Sequence, residues 1–212
     1  MRKFQPVQAG QPLPGYEQVS KAEREARIAH VEALQRSGRS EIERWSMAAS
    51  YRAAWGGRAT ALARMVRPGE AVFEFGAGLS IVRDALPLGC SYTGSDLAPI
   101  ADGVVRYDLN ATELEPTVDY DVALFSGVLE YVHDPEKLLR HLKIYFRAII
   151  CSYALIVDGS PEERDRRRYL GWFTDFGRDG FLNLFRAAGY TATLQGDWNG
   201  HALFRFDRQD AA

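Results

Sequence analysis

The sequence AVFEFGAGLS, residues 71–80, indicates the fold of this 212-residue chain. Its first five residues are apolar apart from Glu74 and include β-branched and aromatic side chains, which is typical of a buried strand. Gly76 and Gly78 follow at once and allow a tight turn that brings the backbone close to a bound group. Residues 79–86 are expected to form a helix. A strand, a glycine turn and a helix together form the nucleotide-binding crevice of α/β proteins.

The spacing of the glycines limits which nucleotide the crevice accepts. A dinucleotide fingerprint has a third glycine where Ile81 stands here, so NAD and FAD are disfavoured. The chain contains no G-x-x-x-x-G-K-[ST] stretch, which argues against a P-loop. Taken alone, the acid at Glu74 followed by G-x-G is also compatible with a glycine turn of purely structural use.

Acidic residues also follow the next two predicted strands. Residues 90–95 (CSYTGS) form a strand that leads into Asp96, about 20 residues after the glycine turn, where a carboxylate can accept hydrogen bonds from both ribose hydroxyls. Helix capping is the alternative role for Asp96. A strand at 103–107 leads into Asp108, for which a turn-forming role is the alternative.

Residues 119–135, DYDVALFSGVLEYVHDP, form the second informative stretch. Residues 122–125 read as a buried strand, which Ser126 and Gly127 interrupt. Asp134 and Pro135 then begin a helix, with proline at its first position.

Taken together, these stretches resemble the class I S-adenosylmethionine (SAM)-dependent methyltransferases. Residues 74–80 match their E/D-x-G-x-G-x-G motif with Ser80 in place of the third glycine, and residues 126–135 resemble s-x-v-L-E-h-v-x-D-P. The resemblance covers residues 70–206 and implies an α/β fold: a Rossmann-like three-layer sandwich with a seven-stranded, mostly parallel sheet and an antiparallel last strand. It also implies SAM as the cofactor.

The resemblance further implies which residues hold SAM. In the family, the acid after the second strand binds the ribose, the acid after the third strand accepts from the adenine amino group, and the segment after the fourth strand lies below the methionine part. The cofactor-binding residues predicted in this way are Glu74, Gly76, Ala77, Gly78, Asp96, Leu97, Asp108, Leu109, Ser126 and Gly127. No metal ligand set is expected, because no cluster of cysteine, histidine and acidic residues has suitable spacing.

Residues 1–69 are expected to form an arm and a helical extension, ahead of a SAM-binding domain at 70–212. The extension either braces the sheet or covers the SAM pocket. In the second case Tyr51, Arg52 and Trp55 would lie near the cofactor.

Capping-box spacing predicts two helix starts in this extension, at Ser20 with Glu23 and at Ser40 with Glu43. A third helix is expected at 58–66.

The segment 155–177 is long, charged and ends in aromatic residues. Its arginines at 164 and 166–168 are suited to binding a phosphate or carboxylate substrate, or they form a solvated helix face balanced by neighbouring acids. Trp172 and Phe173 are candidates for the wall of a substrate pocket or for core packing.

Methyl transfer depends mainly on positioning, and a hydroxyl acceptor also needs a base. His133 is the first candidate for that base and His201 the second, because a histidine titrates near neutral pH. The alternative is that His133 only shapes the pocket. The expected acceptor is a small molecule or a sugar-linked group.

Composition bounds the remaining possibilities. The net charge of −2 and the lack of a basic region argue against a nucleic-acid partner. Cys90 and Cys151 are far apart, which favours reduced thiols in the cytoplasm. The longest apolar run, 148–157, is too short to cross a bilayer. Two alternatives stay open: a catalytically inactive SAM-binding regulatory or partner subunit, and an α/β nucleotide-binding module that does not use SAM.

Overall fold

The computed structural model describes residues 15–47, 55–111 and 120–209. Its helices are α1 Lys21–Arg36, α2 Ile42–Trp45, α3 Gly56–Ala63, α4 Ile81–Ala85, α5 Pro135–Tyr145, α6 Pro161–Tyr169 and α7 Arg178–Ala187. Its strands are β1 Ala71–Phe75, β2 Ser91–Asp96, β3 Val105–Arg106, β4 Val122–Ser126, β5 Ala148–Tyr153, β6 Tyr190–Trp198 and β7 His201–Arg208. Short 3-10 turns lie at Tyr16–Gln18 and Leu129–Tyr131.

The strands form one seven-stranded sheet in the order β3-β2-β1-β4-β5-β7-β6. Neighbouring strands from β3 to β5 are parallel, whereas β7 runs antiparallel to both β5 and β6. The predicted sheet with its antiparallel last strand is confirmed. Because the order reverses beside β1, the C-terminal ends of β1 and β4 border the crevice in which α/β proteins bind ligands.

Both faces of the sheet are buried, so the sheet is the middle of three layers. On β1, Phe73 and Phe75 contribute to the core shared with α5 and α7, whereas Val72 belongs to the core shared with α3 and α4. Alternate side chains of a strand point to opposite faces, which explains this division. Strands covered on both faces read as nearly continuous apolar runs, as β1 does.

Two predicted helix starts are confirmed by their hydrogen bonds. The Ser20 hydroxyl accepts from the Glu23 N–H, and the Glu23 carboxylate accepts from the Ser20 N–H, which completes a capping box. At the start of α5, the Asp134 carboxylate accepts from the Lys137 N–H, and Pro135 occupies the first helical position.

The second predicted capping box is wrong. Ser40 does not cap α2; its hydroxyl donates instead to the Asp108 carboxylate at 2.6 Å. The third strand is also shorter than expected, because β3 contains only Val105 and Arg106 and lies at the exposed edge of the sheet. An edge strand pairs on one side only, so few backbone hydrogen bonds extend it.

Two of the four α6 arginines, Arg167 and Arg168, serve the fold, whereas Arg164 and Arg166 lie on the exposed face. Arg167 is only 3% exposed, and it donates to the Ala154 and Thr174 carbonyls and to the Asp175 carboxylate. Arg168 pairs with the same carboxylate at 2.5 Å. These bonds attach the loop after α6, which carries Trp172 and Phe173, to the end of β5.

The N-terminal extension is divided between two contacts. Its helix α1 packs against α6, where the Arg27 side chain donates to the Tyr169 carbonyl at 3.1 Å. Its helix α3 places Leu62 and Ala63 in the core beneath the sheet. Residues 1–14 of the arm predicted at 1–19, together with Tyr51 and Arg52, lie outside the described residues. In the described part of the chain, no helix has both the length and the apolar character to span a membrane.

Candidate active site

A cavity of about 490 Å³ lies at the C-terminal ends of β1, β2 and β4. All of the predicted cofactor-binding residues line this cavity: Glu74, Gly76, Ala77, Gly78, Asp96, Leu97, Asp108, Leu109, Ser126 and Gly127. A volume of this size is ordinary for a small-molecule site. The predicted residues therefore meet in one place, although their individual roles stay predictions.

The glycine turn after β1 is held against β2. The N–H groups of Gly76 and Ala77 both donate to the Ser95 carbonyl, at 2.8 and 2.9 Å. Gly76 has φ +74°, and a Cβ there would come within 2.4 Å of the Val128 side chain. Ser80 takes the place of the third glycine of the family motif, and it still has the left-handed conformation, with φ +56°.

Asp96 lies at the end of β2 with its carboxylate fixed from two directions. One oxygen accepts from the Gly78 N–H at 2.9 Å and the other from the Ala98 N–H at 3.1 Å. A carboxylate has about four lone-pair positions, so these two hydrogen bonds do not use its full acceptor capacity. Asp96 is only 5% exposed, which excludes most bulk water from these positions.

Glu74 is a buried acid at the same end of the cavity. Its carboxyl group accepts a 2.5 Å hydrogen bond from the Tyr92 hydroxyl. Burial raises the pKa of Glu74 to about 8, and the nearby Asp96 charge acts in the same direction. A cation bound in the cavity would favour the ionised form of this group.

At the end of β3, Asp108 takes part in a network that includes the N-terminal extension. Its Oδ1 accepts from the Ser40 hydroxyl and from the Asn110 N–H. The Asn110 amide in turn donates to the Ser40 oxygen and to the Tyr131 carbonyl, each at 2.9 Å. Ser40 and Asn110 line the cavity but were not predicted. The sequence signal at Ser40 pointed to helix capping instead.

The two candidate histidines are placed differently. His201 begins β7 and lines the cavity, whereas His133 does not. The His133 ring stacks on Phe173 at 4.1 Å, and its Nε2 is 3.2 Å from the Arg39 carbonyl. This placement gives His133 a packing role, and it does not support the prediction that His133 is the base.

The other end of the cavity is aromatic. Trp45 packs edge-on against Tyr131 at 5.3 Å, and Trp55 lies 6.4 Å from Trp45. Trp172 extends this wall toward His201, with a ring separation of 6.5 Å. The aromatic residues that line the cavity here are Trp45, Trp55, Tyr131, Trp172 and Phe173. Trp55, Trp172 and Phe173 were pocket candidates, and the structure places all three in the lining.

Arg58 is a buried cation between the two ends of the cavity. It is 6% exposed and donates to the Ser126 carbonyl at 3.1 Å and to the Ser126 hydroxyl at 3.3 Å. Gly127, with φ +67°, leaves room for it, since a Cβ there would come within 2.5 Å of the guanidinium. Sequence reasoning missed Arg58. Its one signal is a charge within the apolar face of α3, beside Ala59, Leu62 and Ala63.

The profile of a family described as "Methyltransferase domain" matches residues 47–195, which is more than half of the chain. The chain belongs to this methyltransferase family. Its fold and motifs are those of the class I SAM-dependent methyltransferases, so this methyltransferase uses SAM as its cofactor. No curated protein sequence matches the chain.

Solved structures share the fold at low sequence identity. The methyltransferase is 19% identical to the 1,6-didemethyltoxoflavin-N1-methyltransferase of Burkholderia thailandensis, solved with 1,6-didemethyltoxoflavin and S-adenosylhomocysteine (SAH); the TM-score is 0.56, covering 91% of this chain and 92% of that one. Mitomycin 7-O-methyltransferase is 14% identical, with a TM-score of 0.60 over 89% and 72% of the two chains. The pyocyanin biosynthetic protein PhzM is 14% identical, with a TM-score of 0.55 over 72% of this chain; the match spans only 54% of PhzM.

The residues of the cavity fit SAM chemically. SAM carries ribose hydroxyls, an adenine amino group and a sulfonium cation, which require acceptors and negative or π-electron-rich surroundings. The carboxyl groups of Glu74, Asp96 and Asp108 are suitable acceptors, and the rings of Trp55 and Tyr131 are suitable aromatic surroundings.

Proposed function

We propose that this methyltransferase transfers the methyl group of SAM to a small-molecule or sugar-linked acceptor, releasing SAH. The observation that carries this proposal is the cavity itself, in which a carboxylate-lined end joins an aromatic end. Two structural neighbours are named for methylating position N1 of 1,6-didemethyltoxoflavin and the 7-oxygen of mitomycin, both small acceptors. A pocket of about 490 Å³ suits a cofactor and a compact acceptor rather than an extended polymer.

SAM supplies an electrophilic methyl group and leaves as a neutral thioether, so no acid is needed at the sulfur. The chain then has to bind and orient both partners and exclude water. In our proposal Asp96 accepts from the ribose hydroxyls, and Asp108 from the adenine amino group. Leu97 and Leu109, the residues that follow these two acids, line the same cavity.

Arg58 is the residue that we assign to the amino-acid part of SAM. Its guanidinium lies against Ser126 and beside Gly127, the segment expected below the methionine part. A guanidinium binds a carboxylate with two parallel hydrogen bonds, and a buried site strengthens such a pair. We infer that Arg58 holds the SAM carboxylate. Burial lowers the pKa of Arg58, which an approaching carboxylate would offset.

The catalytic candidate in this proposal is His201. It is the one of the two predicted histidines that lines the cavity. The division into a 1–69 extension and a 70–212 domain, and the absence of a nucleic-acid partner, remain predictions. The two thiols Cys90 and Cys151 are both free, which supports the proposed cytoplasmic location.

The experiment is calorimetric titration of the full chain with SAM and with SAH, followed by a methyl-transfer screen. Micromolar binding of both ligands is expected, with labelled methyl groups from SAM appearing in small acceptors of a metabolite extract. Absence of heat from a well-folded preparation would contradict the SAM assignment. Binding with no transfer to any acceptor would favour the regulatory alternative.

A further inference from the structure

Glu130 is a buried acid in the turn after β4, at the boundary between the two ends of the cavity. It is 1% exposed. Its Oε1 accepts from the Ala154 N–H at 2.9 Å, while its Oε2 is buried and has no hydrogen-bond partner. Buried polar atoms are nearly always paired, so an unpaired carboxylate oxygen beside a ligand cavity calls for a functional reason.

His201 approaches this acid from the opposite side of the cavity. Its Nδ1 is buried, has no hydrogen-bond partner and lies 4.0 Å from the Glu130 Oε1. The His201 side chain is 21% exposed, and the residue lines the cavity. With Nδ1 directed toward Glu130, the other ring nitrogen, Nε2, is left for the cavity. Hydrogen bonds of catalytic groups are often long before the ligands bind and shorten afterwards.

Charges from three further elements act on His201. These are Arg58 on α3, Arg167 on α6 and Asp197 on β6. Burial, with help from the two arginines, lowers the pKa of His201 to about 4, so the imidazole is uncharged at neutral pH. Burial raises the pKa of Glu130, and the same two arginines oppose that effect.

The surroundings of His201 are flat and aromatic. The rings of Trp172 and Trp198 lie 6.5 and 6.4 Å from the imidazole. Of the acceptor groups that this cavity could hold, a carboxylate or a neutral amine attacks a methyl group without a base, whereas a hydroxyl requires one. Planar aromatic acceptors suit such walls because ring faces and edges attract one another.

We propose that Glu130 is a positioning residue that holds the His201 imidazole with Nδ1 protonated, and that His201 Nε2 takes the proton of an aromatic hydroxyl acceptor. This inference rests on the proposed function and narrows it to O-methylation. The acceptor O–H bond breaks, and its proton forms a bond to Nε2. The electron pair stays on the oxygen, which forms the new bond to the methyl carbon while the bond from that carbon to sulfur breaks and its electrons leave with the SAH thioether. The imidazolium, stabilised by Glu130, then releases its proton to water.

The first test observes the histidine directly, without turnover. The full chain in complex with SAH is labelled with ¹⁵N-histidine, and long-range ¹H–¹⁵N spectra report the tautomer of each ring. Glu130→Gln is the matched variant, since its amide oxygen can still accept from the Ala154 N–H. The substitution removes the carboxylate charge from beside Nδ1, and with it the preference for a protonated Nδ1.

We expect His201 to be the Nδ1–H tautomer in the parent protein and to change tautomer in Glu130→Gln, with a change of about one pH unit or more in its titration midpoint. His201→Asn assigns the signals. An identical tautomer and titration in both proteins would overturn the pairing, and SAH binding measured on the same samples shows separately whether the cofactor site is intact.

The second test uses catechol, 4-nitrophenol and caffeate as hydroxyl probes, with aniline and benzoate as probes that need no base. Release of SAH is expected with at least one phenol. We expect His201→Asn to lower kcat about 100-fold and Glu130→Gln about tenfold, with KM changed less than twofold. His141→Asn, on α5 and outside the cavity lining, should match the parent protein. Preference for aniline or benzoate, or no turnover of any phenol by protein that binds SAH, would overturn the acceptor assignment.

Discussion

The two ends of the cavity are built in different ways. At the cofactor end, the lining residues lie directly at or after the ends of successive parallel strands, as Glu74, Asp96 and Ser126 do. At the acceptor end, Trp55 comes immediately before α3, Trp172 from the loop after α6, and His201 from the start of β7. One end is therefore specified by short motifs, whereas the other is assembled from residues distant in the chain.

The two buried acids that line the cavity, Glu74 and Glu130, differ in their surroundings. Glu74 has a neutral partner, the Tyr92 hydroxyl, and a cationic ligand would favour its ionised form. Glu130 lies among charged groups, with Arg58 and Arg167 lowering and burial raising its pKa. In our proposal, the cofactor end receives the positive charge of SAM and the acceptor end moves a proton.

The largest expected effect is a loss of SAH binding at the cofactor end. Asp96→Ala should weaken SAH binding about 100-fold or more, because two hydrogen bonds to a charged group contribute about 1.5–3 kcal/mol each. Calorimetry measures the loss. Asp102→Ala, an exposed aspartate on the following loop, should bind SAH as the parent protein does. If Asp96→Ala bound SAH with an affinity within threefold of the parent protein's, the ribose hydroxyls would be bound by another residue.

The next effect is a loss of folding stability at the glycine turn after β1. Gly76→Ala should destabilise the fold by about 2–5 kcal/mol, combining left-handed strain of about 1–2 kcal/mol with overlap of about 1–3 kcal/mol against Val128. Gly69→Ala is the matched control, because Gly69 has φ +83° and nothing within 4 Å of an added Cβ. Urea unfolding measures both. Equal losses in the two variants would mean that Val128 moves aside freely.

The third effect is a pH dependence that belongs to Glu74. Its pKa is about 8 in the folded state against an ordinary 4.5, so between these values the folded state keeps a proton that the unfolded state has released. Stability from this group is therefore complete below about pH 4.5 and declines as the pH rises toward 8, on the order of 1 kcal/mol per pH unit.

Urea unfolding at pH 5.5, 6.5 and 7.5 checks this dependence. Glu74→Gln keeps an acceptor for the Tyr92 hydroxyl and removes the titration, so its stability should decline less steeply with pH than that of the parent protein. Other titrating groups cancel in the comparison. Parallel stability curves for the two proteins would falsify the assignment.

The smallest expected effect tests whether the N-terminal extension contributes to SAH binding at the cofactor end. Ser40→Ala removes the hydroxyl that donates to Asp108 at 2.6 Å. Because one such bond contributes about 0.5–1.5 kcal/mol, SAH affinity should fall about threefold to tenfold. Ser37→Ala is the control, since that hydroxyl bonds only to carbonyls at the end of α1. If both variants bound SAH with the same affinity, the N-terminal extension would have no part in adenine binding.

Local patterns explain what could be predicted. The cap at Ser20 and the Asp134–Pro135 helix start depend on residues close together in the chain, whereas the seven-stranded sheet was implied by the family resemblance; the structure confirms all three. The predicted cofactor-binding residues also lie together in the structure, where they line one cavity. Local patterns failed at Ser40, where a correct capping spacing was overridden by a hydrogen bond to Asp108.

The sequence by itself determined the sheet, the glycine turn and the positions of the acids at its edge, because strand periodicity and turn chemistry act over a few residues. Only the tertiary structure decided which of two histidines faces the cavity. It also decided that Arg58 lies under Gly127 and that Glu130 meets His201. The reason is that burial and charge pairing depend on elements far apart in sequence, which become neighbours only when the sheet and its helices pack.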